Sequence, residues 1–137
     1  ILNSNDNLRS EVEIFLPNEE SLKIISFRIK NLINEDRTIK LLVYIKVVLG
    51  EDEYITRGNL KVERQGNCFK IKNAFREDCF KNKIMFVTSN LKVNSYTADK
   101  IEFFGEGDIL NPDALYKNSF CSSVKPPAIN FFLFTPK

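Results

Sequence analysis

Residues 10–16 read SEVEIFL, with Val12, Ile14 and Leu16 alternating against Glu11, Glu13 and Phe15. A period of two is the pattern of a β-strand with one buried face. Pro17 and Asn18 close it. Residues 18–34 fit two templates. Asn18-Glu19-Glu20-Ser21 resembles a capped helix start, and Leu22, Ile25, Ile29, Leu32 and Ile33 follow a helical stripe. Ile25, Phe27 and Ile29 fit a strand as well, and the Ile-rich composition favours strand over 22–31. The most apolar stretch is 39–49, where Ile39, Leu41, Val43, Ile45 and Val47 line one face. Leu42, Tyr44 and Val48 make the other face partly apolar, as in a strand central to its sheet. Asn34-Glu35-Asp36 lies between these two runs and reads as the turn of a hairpin.

Further strands are predicted over 53–57, 60–64, 68–73, 84–88, 91–96, 100–104 and 129–134. Turn signals separate most of them: Arg57-Gly58-Asn59, Gln65-Gly66-Asn67 and Ser89-Asn90. A short helix is expected over 112–116. This spacing predicts an all-β chain: a single-domain β-sandwich, immunoglobulin-like or jelly-roll-like, of eight to ten short strands with at most one short helix. The polar, Asn-rich residues 1–9 are expected to be a flexible leader, and 10–137 the sandwich domain.

The pair of runs from 22 to 48 resembles the second and third strands of immunoglobulin-like accessory sandwiches. An apolar strand ends in IKN, a charged turn follows, and then comes the long strand IKLLVYIKV. The resemblance implies a fold and carries no functional signature.

Composition narrows the chemistry. The 137 residues are 43% hydrophobic and 28% charged, enough for one packed core and a solvated surface. No run reaches the ~18 apolar residues of a membrane helix. The chain opens at Ile1 without a methionine, which reads as a piece of a longer protein. Histidine is absent, which removes Ser-His-Asp and Cys-His nucleophile activation and the commonest zinc ligand. Tryptophan is absent too. The net charge of +2 is too small to argue for nucleic acid.

The charge is unevenly placed. Residues 61–83 hold seven basic and three acidic side chains, a net +4, whereas 99–113 hold one basic and five acidic, a net −4. In the basic stretch Lys70, Lys72, Arg76, Lys81 and Lys83 interleave with Phe69, Phe75 and Phe80. These cations are candidate anion-binding residues. The plainer reading puts Phe69 and Ile71 in the core, with Cys68, Lys70 and Lys72 forming a solvated row that guards an edge strand. In the acidic stretch Glu106, Asp108 and Asp113 are candidate calcium ligands, although their spacing matches no EF-hand loop.

Three cysteines, Cys68, Cys79 and Cys121, are candidates for one disulfide with one thiol left over. Cys68–Cys79 would clamp the exposed loop between them in an oxidising compartment. The other reading is buried free thiols. None of the fifteen asparagines begins an Asn-x-Ser/Thr acceptor, which fits a cytoplasmic location or a host without N-glycosylation. At the C-terminus Phe131, Phe132 and Phe134 sit in a run apolar on both faces. That is either a strand sealed between sheets or an exposed apolar edge that docks on a partner.

The expected function is a noncatalytic β-sandwich interaction module, with no cofactor, no membrane span and no enzymatic activity of its own. It would be part of a larger secreted or cell-surface protein and contact another protein or a neighbouring domain. The alternatives are a β-barrel carrier of a small apolar ligand, and a module binding an anionic glycan or single-stranded nucleic acid. A carboxylate-dependent enzyme is the remotest reading.

Overall fold

The computed structural model describes residues 1–5, 7–52, 54, 58–74, 82–121 and, as a backbone strand, 128–134. They divide into two compact units, Ile1–Arg37 and Thr38–Lys137. The expected sandwich domain of 10–137 spans both.

The first unit is an antiparallel sheet of three strands in the order β1 (Leu2–Ser4), β2 (Leu8–Phe15) and β3 (Ile24–Asn31). Residues 1–9, expected as a flexible leader, instead supply β1 and the start of β2. Leu2, Asn3 and Ser4 pair with Glu11, Ser10 and Arg9. The Asn5 carboxamide oxygen shapes the turn between them by accepting from the Leu8 N–H at 2.8 Å. Asparagine is therefore turn chemistry here rather than a mark of looseness. The strand expected over 22–31 forms as β3, and the helical reading of 18–34 does not hold. Full pairing with β2, from Leu8↔Asn31 to Phe15↔Ile24, decides the conformation.

That pairing also overturns the hairpin expected across Asn34-Glu35-Asp36. β3 pairs with β2, and the next strand, β4 (Leu41–Ile45), pairs with β9 (Ala128–Phe134) in the second unit. The immunoglobulin-like pairing that the resemblance implied is therefore not the arrangement of these strands.

The second unit holds two antiparallel sheets, ordered β4-β9-β8 and β5-β6-β7. Its remaining strands are β5 (Leu60–Gln65), β6 (Cys68–Asn73), β7 (Ile84–Thr88) and β8 (Val93–Asp99). Gly66, at φ +61°, makes the tight connection from β5 to β6. The two sheets face each other across one apolar cluster. Leu60, Val62, Phe69 and Ile71 come from the first pair of strands, and Val47, Val93 and Ala98 from the other side. Leu41, Val43, Ile45, Met85, Val87 and Tyr96 surround them. This is the β-sandwich that the strand spacing predicted.

The other face of the β4-β9-β8 sheet carries a second cluster, in which Leu42 and Tyr44 pack with Phe103, Phe104, Ala114 and Phe120. Part of it comes from α1 (Lys100–Phe104), where a strand was expected. The physical reason is capping. The Asp99 side chain accepts from the Ile101 and Glu102 N–H groups, and Gly105, at φ +57°, ends the turn with its N–H on the Ile101 carbonyl. The helix expected near 112–116 is a 3₁₀ turn, Asp113–Leu115. The strand expected over 53–57 lies almost wholly outside the described residues.

A polar clasp joins these outer pieces to the sheet. Glu102 Oε2 accepts from the Thr97 hydroxyl, and Oε1 accepts from the Cys121 N–H at 2.6 Å. The Glu102 carbonyl accepts from the Lys117 ammonium. Lys40 donates to the carbonyls of Leu115 at 2.8 Å and Lys117 at 2.7 Å, and buried Ser95 accepts from the Phe120 N–H at 2.7 Å. A charged group accepting neutral donors gives stronger hydrogen bonds than a neutral pair does.

Glu102→Ala should therefore destabilise the chain by about 1–3 kcal/mol in urea denaturation, with hydrogen exchange at the Cys121 amide accelerated. Gly105→Ala should cost a further-reaching ~2 kcal/mol or more, because the new Cβ would also run into the Asp113 carboxylate.

Candidate interaction surfaces

The β5-β6-β7 sheet has one face in the sandwich and one outside it, and strand parity sorts the residues. Along β6, Phe69 and Ile71 are buried, while Cys68, Lys70 and Lys72 are half-buried on the outer side. The expected parity of CFKIKN is therefore met. Its expected setting is not, because β6 is the central strand, paired with β5 on one side and β7 on the other. A lysine row there guards no edge.

Cross-strand register brings other side chains to the same face. Lys61, Lys72 and Ile84 form one row, and Glu63, Lys70 and Phe86 the next. Lys72 makes a 3.2 Å ion pair with Glu63. Phe86 is 62% exposed and Ile84 is exposed beside it. The face is thus a basic patch with an apolar margin. Sequence reasoning placed Lys70 and Lys72 on it but missed Lys61, Ile84 and Phe86. The available signal was the alternation of IMFVT, which sends Met85 and Val87 inward and Ile84 and Phe86 outward. Lys83 is exposed just before β7. Arg76 and Lys81 lie outside the described residues.

The remaining candidates are not gathered into one place. Cys68 stands at the head of β6, opposite Gln65 and Thr88, and its thiol is free, as is that of exposed Cys121. The bridge considered between them is not formed, and Cys79 lies outside the described residues. Glu106 and Asp108 are exposed, and Asp113 starts the 3₁₀ turn. Asp108 spends its carboxylate on the N–H groups of Leu110 and Asn111, at 2.8 and 2.9 Å. Among the described residues no three His, Cys, Asp or Glu side chains come together to hold a metal ion. Asp108 thus shapes the turn that follows it.

Phe131, Phe132 and Phe134 belong to β9. Phe131 and Phe132 pair with Tyr44 and Val43 of β4 and with Thr97 and Tyr96 of β8, and Phe134 with Leu41 and Val93. A central strand has no open edge, so docking through the edge of this strand is corrected too.

A surface that sequence reasoning did not identify lies at one end of the β2-β3 hairpin. Ile14 pairs with Ile25 on one face of the sheet and Phe15 with Ile24 on the other. All four are exposed, Ile25 at 56% and Phe15 at 60%, and exposed Leu16 and Leu22 continue the belt toward the turn. Toward the opposite end the Phe15–Ile24 face becomes ionic. Arg28 stands 3.5 Å from Glu11 and 3.6 Å from Glu13. The hairpin is therefore apolar on both faces at one end, a pattern otherwise found in strands covered on both sides. The sequence signal was Phe15, an aromatic residue in the polar phase of SEVEIFL.

Residues 1–130 match the model of a protein family described as glycosyl hydrolase 94, supersandwich domain. No curated protein matches the chain significantly.

The parity of β7 is directly testable. Ile84→Ser and Phe86→Ser should each change stability by less than about 1 kcal/mol, whereas Met85→Ala, pointing into the sandwich, should cost about 2 kcal/mol or more. Equal costs in denaturant titrations would mean that the outer face is covered.

Proposed function

The chain belongs to the glycosyl hydrolase 94 supersandwich domain family, a noncatalytic β-sandwich module of larger proteins, and we propose that it works as a docking module. In this reading the apolar end of the β2-β3 hairpin seats a neighbouring domain of the same glycoside-processing protein. Chemistry on the glycan belongs to that neighbour, and this chain contributes a rigid, binding support.

The observation that carries the reading is the exposed belt of Ile14, Phe15, Leu16, Leu22, Ile24 and Ile25. Six large apolar side chains exposed on the two faces of one hairpin end are the kind of surface that marks interaction sites. Fully burying a side chain of this size stabilises an interface by roughly 1.5–3 kcal/mol. Even partial cover of several of them offsets the cost of association. The rim suits an interface as well. Glu19, Glu20 and Lys23 lie in the connecting turn, and Glu13 and Arg28 border the belt on the strands, which gives an apolar centre with a polar margin.

Carbene footprinting tests the proposal. In the 137-residue chain alone, Ile14, Phe15 and Ile25 should label strongly. In the longer polypeptide that carries the chain, labelling there should fall several-fold while Phe86 continues to label. Ile14→Ser with Ile25→Ser should restore the labelling of Phe15 in the longer polypeptide without unfolding the sandwich. Protection already present in the isolated chain, or equal labelling in both forms, would sink the idea.

A further inference from the structure

The ionic end of the same hairpin is built differently from an ordinary solvated sheet face. Arg9 of β2 pairs directly with Lys30 of β3, and Ser4 of β1 completes the row across the three strands. Opposed side chains in an antiparallel pair sit roughly 5 Å apart at Cβ, and like charges placed so are destabilising. Neighbouring acids do not relieve the pair. Glu11 and Glu13 are both within ion-pair distance of Arg28, one row along. Among the described residues no carboxylate is within ion-pair distance of Arg9 or Lys30. Arg9, Glu11, Arg28, Ile29 and Lys30 together line a cleft of about 510 Å³.

From this geometry we infer that the cleft is a binding site for a divalent oxyanion, a phosphate or sulfate group, held between Arg9 and Lys30. The charges balance, since two cations that have no carboxylate within ion-pair distance among the described residues meet one dianion. The chemistry is also complementary. The Arg9 guanidinium offers a planar fork to two oxygens, and the Lys30 ammonium offers a mobile point charge to a third. Arg28 keeps its two carboxylates occupied, which lowers their repulsion of the incoming anion. A bound dianion converts the repulsion across the strands into two attractions, so binding tightens the β2-β3 pairing that fixes the hairpin. Two charge-assisted contacts at an exposed site correspond to a dissociation constant on the order of 1 mM at low ionic strength. The site is independent of the apolar end, and either can fail without the other.

The test is titration of the ¹⁵N-labelled chain with sodium sulfate, and separately with inorganic phosphate and acetate, against sodium chloride at matched ionic strength. Saturating amide shifts confined to Arg9, Lys30 and their row neighbours are expected with sulfate and phosphate. With acetate they should be at least tenfold weaker, and with chloride absent. Sulfate without phosphate, or the reverse, would identify which of the two groups the cleft takes. Lys30→Glu should abolish the sulfate response and leave the chain at least as stable, because it places an acid opposite Arg9. Arg9→Ser should weaken the response at least tenfold. Shifts that grow without saturating, that spread over the basic face of β5-β6-β7, or that survive in both variants would overturn the assignment.

Discussion

The sandwich depends on one backbone event, the insertion of β9 between β4 and β8. β4 ends at Ile45 and β8 begins at Val93, and neither pairs with the other; both pair with the strand of residues 128–134. Without β9 the inner residues of β4 and β8 have no common sheet to hold them opposite Leu60, Val62, Phe69 and Ile71. The core of the second unit is therefore assembled by contacts between parts of the chain far apart in sequence. Loop closure must be met before those contacts contribute, which makes such folds slow to form and their central strands hard to replace. By contrast, the β5-β6-β7 sheet is a simple meander that local turns can build, with Gly66 setting the first of them. The first unit is also a meander, closed by the Asn5 turn and by the pairing of β2 with β3.

Placing the last strand in the middle has a second effect. It gives the β4-β9-β8 sheet two apolar faces, one inside the sandwich and one under α1 and the 3₁₀ turn. The outer layer is too small to hold itself by burial alone. Phe103, Ala114 and Phe120 supply its apolar contacts. The polar clasp from Glu102, Lys40, Lys117 and Ser95 ties the segment between residues 115 and 121 to the helix and the sheet. Glu102 serves two purposes at once, because its carboxylate also anchors Thr97, whose hydroxyl accepts the Asp99 N–H just ahead of the helix. Packing and hydrogen bonding thus fix the same junction, and each limits how far the other can relax.

Parity was the most legible property of the sequence. Alternation located β2, β5, β6 and β7 within a residue or two and sorted the inner from the outer side chains of β6 and β7. Partnership was not legible. A strand apolar on both faces is consistent with an edge that docks or a centre that is sealed, and only the pairing of β9 distinguishes them. The charged segment at 34–36 has the composition of a hairpin turn, yet it lies near the boundary between two units. Turn chemistry says where a chain bends and not which strand it returns to. The helix α1 was missed for a different reason. Ile101 and Phe103 alternate with Glu102 and Phe104 as a strand would, and a five-residue helix is too short to show its own period. The cap residues Asp99 and Gly105 carried the information.

Of the candidate sites, those read as linear motifs fared worst, because geometry between strands governs them. The acids of 105–113 and the cysteines are close in sequence or similar in kind but are not assembled into a common site among the described residues. The two surfaces that stand out were written across strands instead. Ile14 meets Ile25, Phe15 meets Ile24, and Arg9 meets Lys30 only once the register Leu8↔Asn31 is set. A slip of one residue would move every one of these side chains to the opposite face relative to its partner. Register is thus what turns an unremarkable alternating strand into a hairpin with an apolar end and a cationic end. On the face of Arg9, Glu11, Glu13 and Phe15 the polarity runs along the strands, from paired charges to Phe15 and Ile24. The opposite face carries Val12, Phe27 and Ile29 beside Ile14 and Ile25 and stays apolar for most of its length. The two faces therefore differ at the ionic end and match at the apolar one, and that match is what sets the exposed hairpin end apart from an ordinary one-sided sheet.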